Sequence, residues 1–217
     1  MRRALILLAV ACSWAVPAHA QLSPGTSGFS SAPTEASQAE YWVMIRTLGA
    51  CLADYKTDKA QAFLTTAPGS SAEDAAFSAL FENRRHRCMG NFVSATMLRS
   101  HVRGSVAEGL FEQMGEAAQA AIAMRQLAAP AQIASLHDFA DCYVASHAAN
   151  AAAFLDQTKL GSKGEIAALQ QMAPDFAPCL PADREVRLDP IDLRMAIAEG
   201  LYHAANGSGA SGELGSP

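Results

Sequence analysis

Two nine-residue stretches hold the side chains best suited to chemistry: Arg103-Gly-Ser-Val-Ala-Glu-Gly-Leu-Phe111 and Arg194-Met-Ala-Ile-Ala-Glu-Gly-Leu-Tyr202. Arg103/Arg194, Glu108/Glu199 and Gly109/Gly200 recur with a constant offset of 91 residues. A guanidinium and a carboxylate at fixed spacing can bind an anion, move a proton or neutralise each other. Helix geometry separates these outcomes. Val102, Val106, Gly109 and Leu110 form one apolar stripe, as do Leu193, Ile197, Gly200 and Leu201. On an ideal helix Arg103 lies about 100° to one side of Val102 and Glu108 about 120° to the other, so the two cannot pair within the helix. Pairing across the halves, Arg103 with Glu199 and Arg194 with Glu108, is the expected arrangement. Glycine inside a helix costs about 1 kcal/mol relative to alanine. Its presence in both stretches predicts a close helix crossing, between the two stretches or of each with the first helix of its own half. Arg103, Glu108, Gly109, Arg194, Glu199 and Gly200 therefore read as a structural signature, and no catalytic residue is assigned.

Other candidates are specific to one half. Arg84, Arg85, His86 and Arg87, with Arg99, His101 and Arg103, form the one basic cluster, suited to an anionic ligand or an acidic partner. The bland reading is a solvated helix end whose basic residues complement the dipole. Asp175, Phe176, Ala177 and Pro178 stand opposite it in the second half. His137 and Asp141 are four apart on a helix and could begin a metal site. The first half has Arg46 and Ala50 there, and no third ligand is evident, so neither a metal nor a cofactor is expected. His147 and His203 look isolated. Glu108, Glu199 and Asp192 are conceivable acid–base carboxylates that sequence cannot bring together. The chain holds no nucleophile elbow, phosphate-binding glycine loop or metalloprotease helix.

The elements that must position these residues begin after an export signal. Met1-Arg2-Arg3, the apolar run to Val16 and the Ala18-His19-Ala20 site read as a secretory leader covering 1–20. No later stretch is long and apolar enough to span a bilayer. The chain carries 16 Lys and Arg against 21 Asp and Glu. Cleavage removes Arg2 and Arg3, which argues against general binding to nucleic acid or an anionic membrane. Residues 40–130 hold nine basic and nine acidic side chains, and residues 131–217 hold five and eleven. Cleavage also removes Cys12. The remaining four cysteines read as disulfides in an exported chain. Cys51/Cys142 and Cys88/Cys179 obey the same offset, so a duplicated unit selects Cys51–Cys88 and Cys142–Cys179.

Residues 21–36 form a linker rich in Ser, Pro, Gly and Thr, and 207–217 a flexible tail. Between them the chain reads as two tandem helical repeats, 37–115 and 131–206, joined by a connecting helix over 116–130. The fold class is all-α, about four helices per repeat, disulfide-stapled, with a short extended segment possible in each connector. The first helix of each repeat spans 37–55 or 131–147 and the second 58–66 or 149–157. Ser70-x-x-Glu73 and Ser162-x-x-Glu165 are capping boxes that open third helices over 71–85 and 163–172. The signature helix closes each repeat. Asp189-Pro190 starts the second copy, and the first runs on through Glu116 to Ala129.

This Cys…Cys…Ala-Glu-x-Leu-Tyr unit resembles exported bacterial proteins built from the same element, and the resemblance covers both repeats. No activity attaches to that group, so it adds nothing on mechanism. The reading is an exported, non-enzymatic binding or structural protein of the cell envelope, periplasmic or secreted, with an envelope protein or an anionic ligand as partner. The alternative is an exported hydrolase with its site between the repeats. A small-ligand carrier would require an apolar cavity there. Peptide maps of the oxidised protein are expected to contain the 51–88 and 142–179 links, and any link between the halves would break the duplication argument.

Overall fold

The computed structural model describes residues 38–82, 87–89, 97–181 and 186–207. The leader, the linker, Arg84, Arg85, His86 and residues 208–217 lie outside them. Eight α-helices, and no strand, are present among the described residues: α1 Gln38–Tyr55, α2 Thr57–Leu64, α3 Ser71–Leu80, α4 Arg99–Met114, α5 Glu116–Ala123, α6 Leu136–Gln157, α7 Lys163–Met172 and α8 Pro190–Asn206. Short 3₁₀ turns at Arg87–Met89 and Ala173–Cys179 carry the second cysteine of each pair. The fold is all-α, and the connectors contain no extended pairing among these residues.

α4 and α8 are the centre. Every residue from His101 to Phe111 and from Leu193 to Tyr202 is buried. A helix enclosed on all sides has no solvent face for its charges, so Arg103, Glu108, Arg194 and Glu199 are buried with the aliphatic residues. α4 packs on α8 and on α1, and α6 packs on the far side of α8. α1 meets α4 through Trp42, Ile45, Leu48, Gly49 and Leu52, a helical stripe.

Glycine sets the closeness of these crossings. A Cβ on Gly104 would stand 2.5 Å from Met195 Cα, so α4 and α8 touch at their backbones. A Cβ on Gly109 would lie 3.0 Å from Ala50 Cα in α1, and one on Gly200 would lie 3.2 Å from Asp141 Oδ1 in α6. The signature glycines therefore serve the crossing of each central helix with the first helix of its own half. Contact between the halves falls on Gly104.

Positions 91 apart adopt matching local structure. Lys56, between α1 and α2, has φ −136° and ψ 37°. His147 has φ −136° and ψ 34° and kinks α6 at the corresponding place. Cys51–Cys88 and Cys142–Cys179 are both formed, each over a separation of 37 residues. Closing such a loop is worth about 4 kcal/mol on the chain-entropy model. Ser70 accepts from the Glu73 amide and Ser162 from the Glu165 amide, the serine half of each expected capping box, while the glutamate side chains accept from Gly69 and Gly161, one residue before the caps. Asp189 caps α8.

Several boundaries differ from expectation. α3 stops at Leu80. The helix expected to continue past Glu116 is broken at Gly115, whose φ of 53° lies outside the helical region. α6 begins later than expected, at a capping box of Ser135 and Asp138. Gly104→Ala is expected to lower unfolding free energy by about 3 kcal/mol or more, because the new methyl meets backbone that cannot yield. Gly164→Ala in α7, with nothing but Ser162 Oγ near at 3.6 Å, is expected to gain up to about 1 kcal/mol. Urea unfolding of both variants checks the contrast.

Candidate functional site

Arg103 and Arg194 organise the polar interior. Arg103 Nε donates to Glu199 Oε1 at 2.7 Å. Its Nη1 donates to Phe63 O at 3.1 Å, Thr66 Oγ1 at 3.2 Å and Glu73 Oε1 at 3.3 Å, and its Nη2 to Leu64 O and Thr66 O. Those carbonyls are the open C-terminal end of α2, where a cation satisfies both orphan acceptors and the helix dipole. Glu73 turns its other oxygen to the Gly69 amide at 2.8 Å. One guanidinium therefore joins the end of α2, the start of α3 and a carboxylate of the other half. Arg194 repeats the arrangement with Glu108, Glu165, Thr158 and Leu155 O, and Glu165 accepts from the Gly161 amide. The exchanged pairing expected from the helix wheel is present. Lysine could not replace either arginine, because it lacks the planar fork and the donors for so many acceptors.

The halves part company around the two paired glutamates. In the first half Arg46 bridges Glu108 and Glu112, so Glu108 is held by two guanidiniums. The residues 91 further on are His137 for Arg46, Asp141 for Ala50, Glu199 for Glu108 and His203 for Glu112. His137 Nδ1 lies 3.5 Å from Glu199 Oε2, and His203 Nε2 lies 3.8 Å from Oε1. Glu199 Oε2 is buried without a hydrogen bond among the described residues. A closed, neutralised corner in the first half thus corresponds to a titratable and incompletely satisfied one in the second. Buried polar atoms seldom stay unpaired. All three that do among the described residues (Tyr143 Oη, His147 Nδ1 and Glu199 Oε2) belong to the second half.

This corner opens on a cleft. The segment 125–131 faces α6 and α8 across about 760 Å³, with Asp141, Val144, Ala145, Gly200 and His203 in its lining. Arg125 fixes the segment by donating to Ala204 O at 3.0 Å. Asp141 has neither hydrogen-bond nor ion-pair partner among the described residues. Its pKa is pushed up to about 6, first by burial and then by the negative charges of Glu199 and Asp138. His203 Nε2 must carry a proton, because it lies 3.1 Å from Leu64 O, which can only accept. Burial holds the ring below its ordinary pKa and favours the neutral form.

The remaining sequence candidates do not converge. Arg103 is excluded from the proposed basic cluster: it is buried and neutralised. Arg99 pairs with Asp74 and Glu73, and Arg87 lies over the Tyr55 ring at 4.2 Å. Arg84, Arg85 and His86 lie outside the described residues. His101 sits between Tyr41 and Asp192, its Nε2 3.1 Å from Asp192 Oδ1. His147 stacks on Tyr143. No group of three or more His, Cys, Asp or Glu side chains able to hold a metal lies among the described residues, so His137 and Asp141 do not grow into a metal site there. Two features escaped the sequence reading. Glu73 and Glu165 were legible as caps but not as arginine partners. His203 looked isolated, although the offset that aligned His137 with Arg46 also aligns His203 with Glu112.

No protein-family model, curated protein or solved structure matches the chain.

A raised pKa means that folding favours the protonated Asp141, so its ionised form costs stability above about pH 6. Asp141→Asn is expected to be more stable than the wild type at pH 7–8. The advantage should shrink as pH falls through 6 towards the ordinary carboxylate range. Denaturation midpoints across pH 4–8 check this, and an advantage that grows on acidification would contradict the assignment.

Proposed function

We propose that the protein is an exported, non-enzymatic binding protein, built from a duplicated helical unit, that takes a small ligand in the cleft between segment 125–131 and helices α6 and α8. Asp141 carries the reading. It is a carboxylate held in a cleft without a partner, on a frame that elsewhere supplies a cation to each buried carboxylate. A group kept at a cost to stability is a recurrent mark of a site. Export is supported by the leader-like N-terminus and by the two disulfides. No described helix is long and apolar enough to cross a membrane.

Asp141 and His203 in one cleft also give the hydrolase alternative its firmest footing, because a carboxyl near pKa 6 can exchange protons at neutral pH. The cleft lining contains no Ser, Thr, Cys or Lys among the described residues, so that chemistry would have to proceed through an activated water. Ala145 lines the cleft, and Ala145→Phe projects a bulky ring into it. In a thermal-shift screen of small metabolites, a true ligand at a hundredfold excess over Kd stabilises the wild type by about 2.7 kcal/mol and leaves A145F unchanged. Stabilisation retained in A145F would remove the cleft assignment. Turnover of ester or glycan substrates, lost in D141N, would replace the binding protein with the hydrolase.

A further inference from the structure

A second cleft of about 610 Å³ adjoins the first, between α5 and α6. The two share Arg125, Leu127 and Ala145 in their linings. Most of the side chains lining the second are small and apolar, among them Ala120, Ala123, Ala148, Ala149 and Ala152, with Gln119 and Ser146 beside them. Together they make one groove, an alanine-rich arm joined to an end that holds Asp141. The carboxylates at the end holding Asp141 are incompletely paired. Asp141 is unpartnered, and behind it the buried Glu199 keeps one oxygen without a hydrogen bond. Glu199 is offset by Arg103 alone among the arginines. Ala204 and Gly207, at the C-terminal end of α8, line the same place, and a helix C-terminus favours positive charge. Arg125, the cation facing them from segment 125–131, donates to Ala204 O and makes no ion pair with Asp141 among the described residues.

We propose that the groove binds a primary alkylamine, its ammonium on Asp141 and its hydrocarbon chain in the alanine-lined arm. The inference rests on the cleft being the ligand site and adds the ligand's chemistry. An ammonium supplies three donors and one positive charge to a carboxylate that lacks both. An apolar chain gains by leaving water for the alanine methyls. The groups facing Asp141 are Asp138 and His137 from α6, Glu199 and His203 from α8, and Arg125 from the facing segment. Acidification neutralises Asp141 and so opposes the binding of a cation there.

Hexylammonium, hexanol and hexanoate, titrated into the full chain by heteronuclear NMR, test the idea, because the three share a chain and differ in head group. Hexylammonium is expected to bind most tightly and to shift Val144, Ala145, Ala149 and Gly200. Its affinity should fall about tenfold between pH 7.5 and pH 5, following the ionised fraction of a carboxyl near pKa 6. D141N should lose at least tenfold and show a flatter pH response. Hexanol or hexanoate binding the groove as tightly as the amine would overturn the ammonium assignment while leaving the ligand cleft standing. Amine binding unchanged in D141N would overturn the role of Asp141. Absence of groove shifts with all three probes would overturn the inference and the cleft together.

Discussion

Two buried guanidiniums hold this fold. Each reaches out from a central helix to close the C-terminus of one helix, steady the N-terminal cap of the next and neutralise a carboxylate from the opposite half. Enclosing α4 and α8 on all sides leaves their charges no route to water, and burying an ion without a partner costs several kcal/mol. Pairing is therefore a condition of the architecture. It also explains why strong helix-breaking signals (Pro68, Gly69 and Gly161 in the loops after α2 and α6) sit beside the most buried charges. The loops bring backbone carbonyls and amides to the arginine and to its glutamate.

The helix wheel and the 91-residue offset made much of this legible. They placed Arg and Glu on opposite flanks of an apolar stripe, which left exchange between the halves as the simple way to pair them. The disulfides, the Ser caps and the Asp189-Pro190 start were likewise readable, because each depends on local chemistry with a fixed spacing. The convergence of Arg103 on the end of α2 was not readable. Backbone carbonyls have no sequence signature, and which helix end lies near an arginine is a tertiary fact. Glu73 was hidden for a related reason: a capping role accounts for one carboxylate oxygen and gives no hint of the other's partner. The break at Gly115 was missed because the alanine-rich sequence beyond it continues a helical pattern through a residue whose φ is positive.

The candidate site was legible in pieces. His137 and Asp141 stood out as a pair, while Glu199 was absorbed into the scaffold and His203 was set aside. Only the packing of α6 against α8 gathers the four, and only comparison with Arg46, Ala50, Glu108 and Glu112 shows how it differs from the ion-paired corner 91 residues earlier. The same backbone thus supports two electrostatic outcomes, one silent and one poised to titrate. The difference lies in three side chains at matching positions, with the glutamate unchanged.

The contacts between α4 and α8 are reciprocal. Arg103 takes Glu199 as Arg194 takes Glu108, Gly104 meets Met195, and His101 meets Asp192. Two separate identical chains could make such contacts across a dyad. In that arrangement every substitution would appear twice, and a histidine at one corner would force a histidine at the other. Carrying both halves on one polypeptide lifts that symmetry constraint. One corner is then a plain ion pair that secures the core, while the matching corner is free to hold His137, Asp141 and His203 beside the same glutamate.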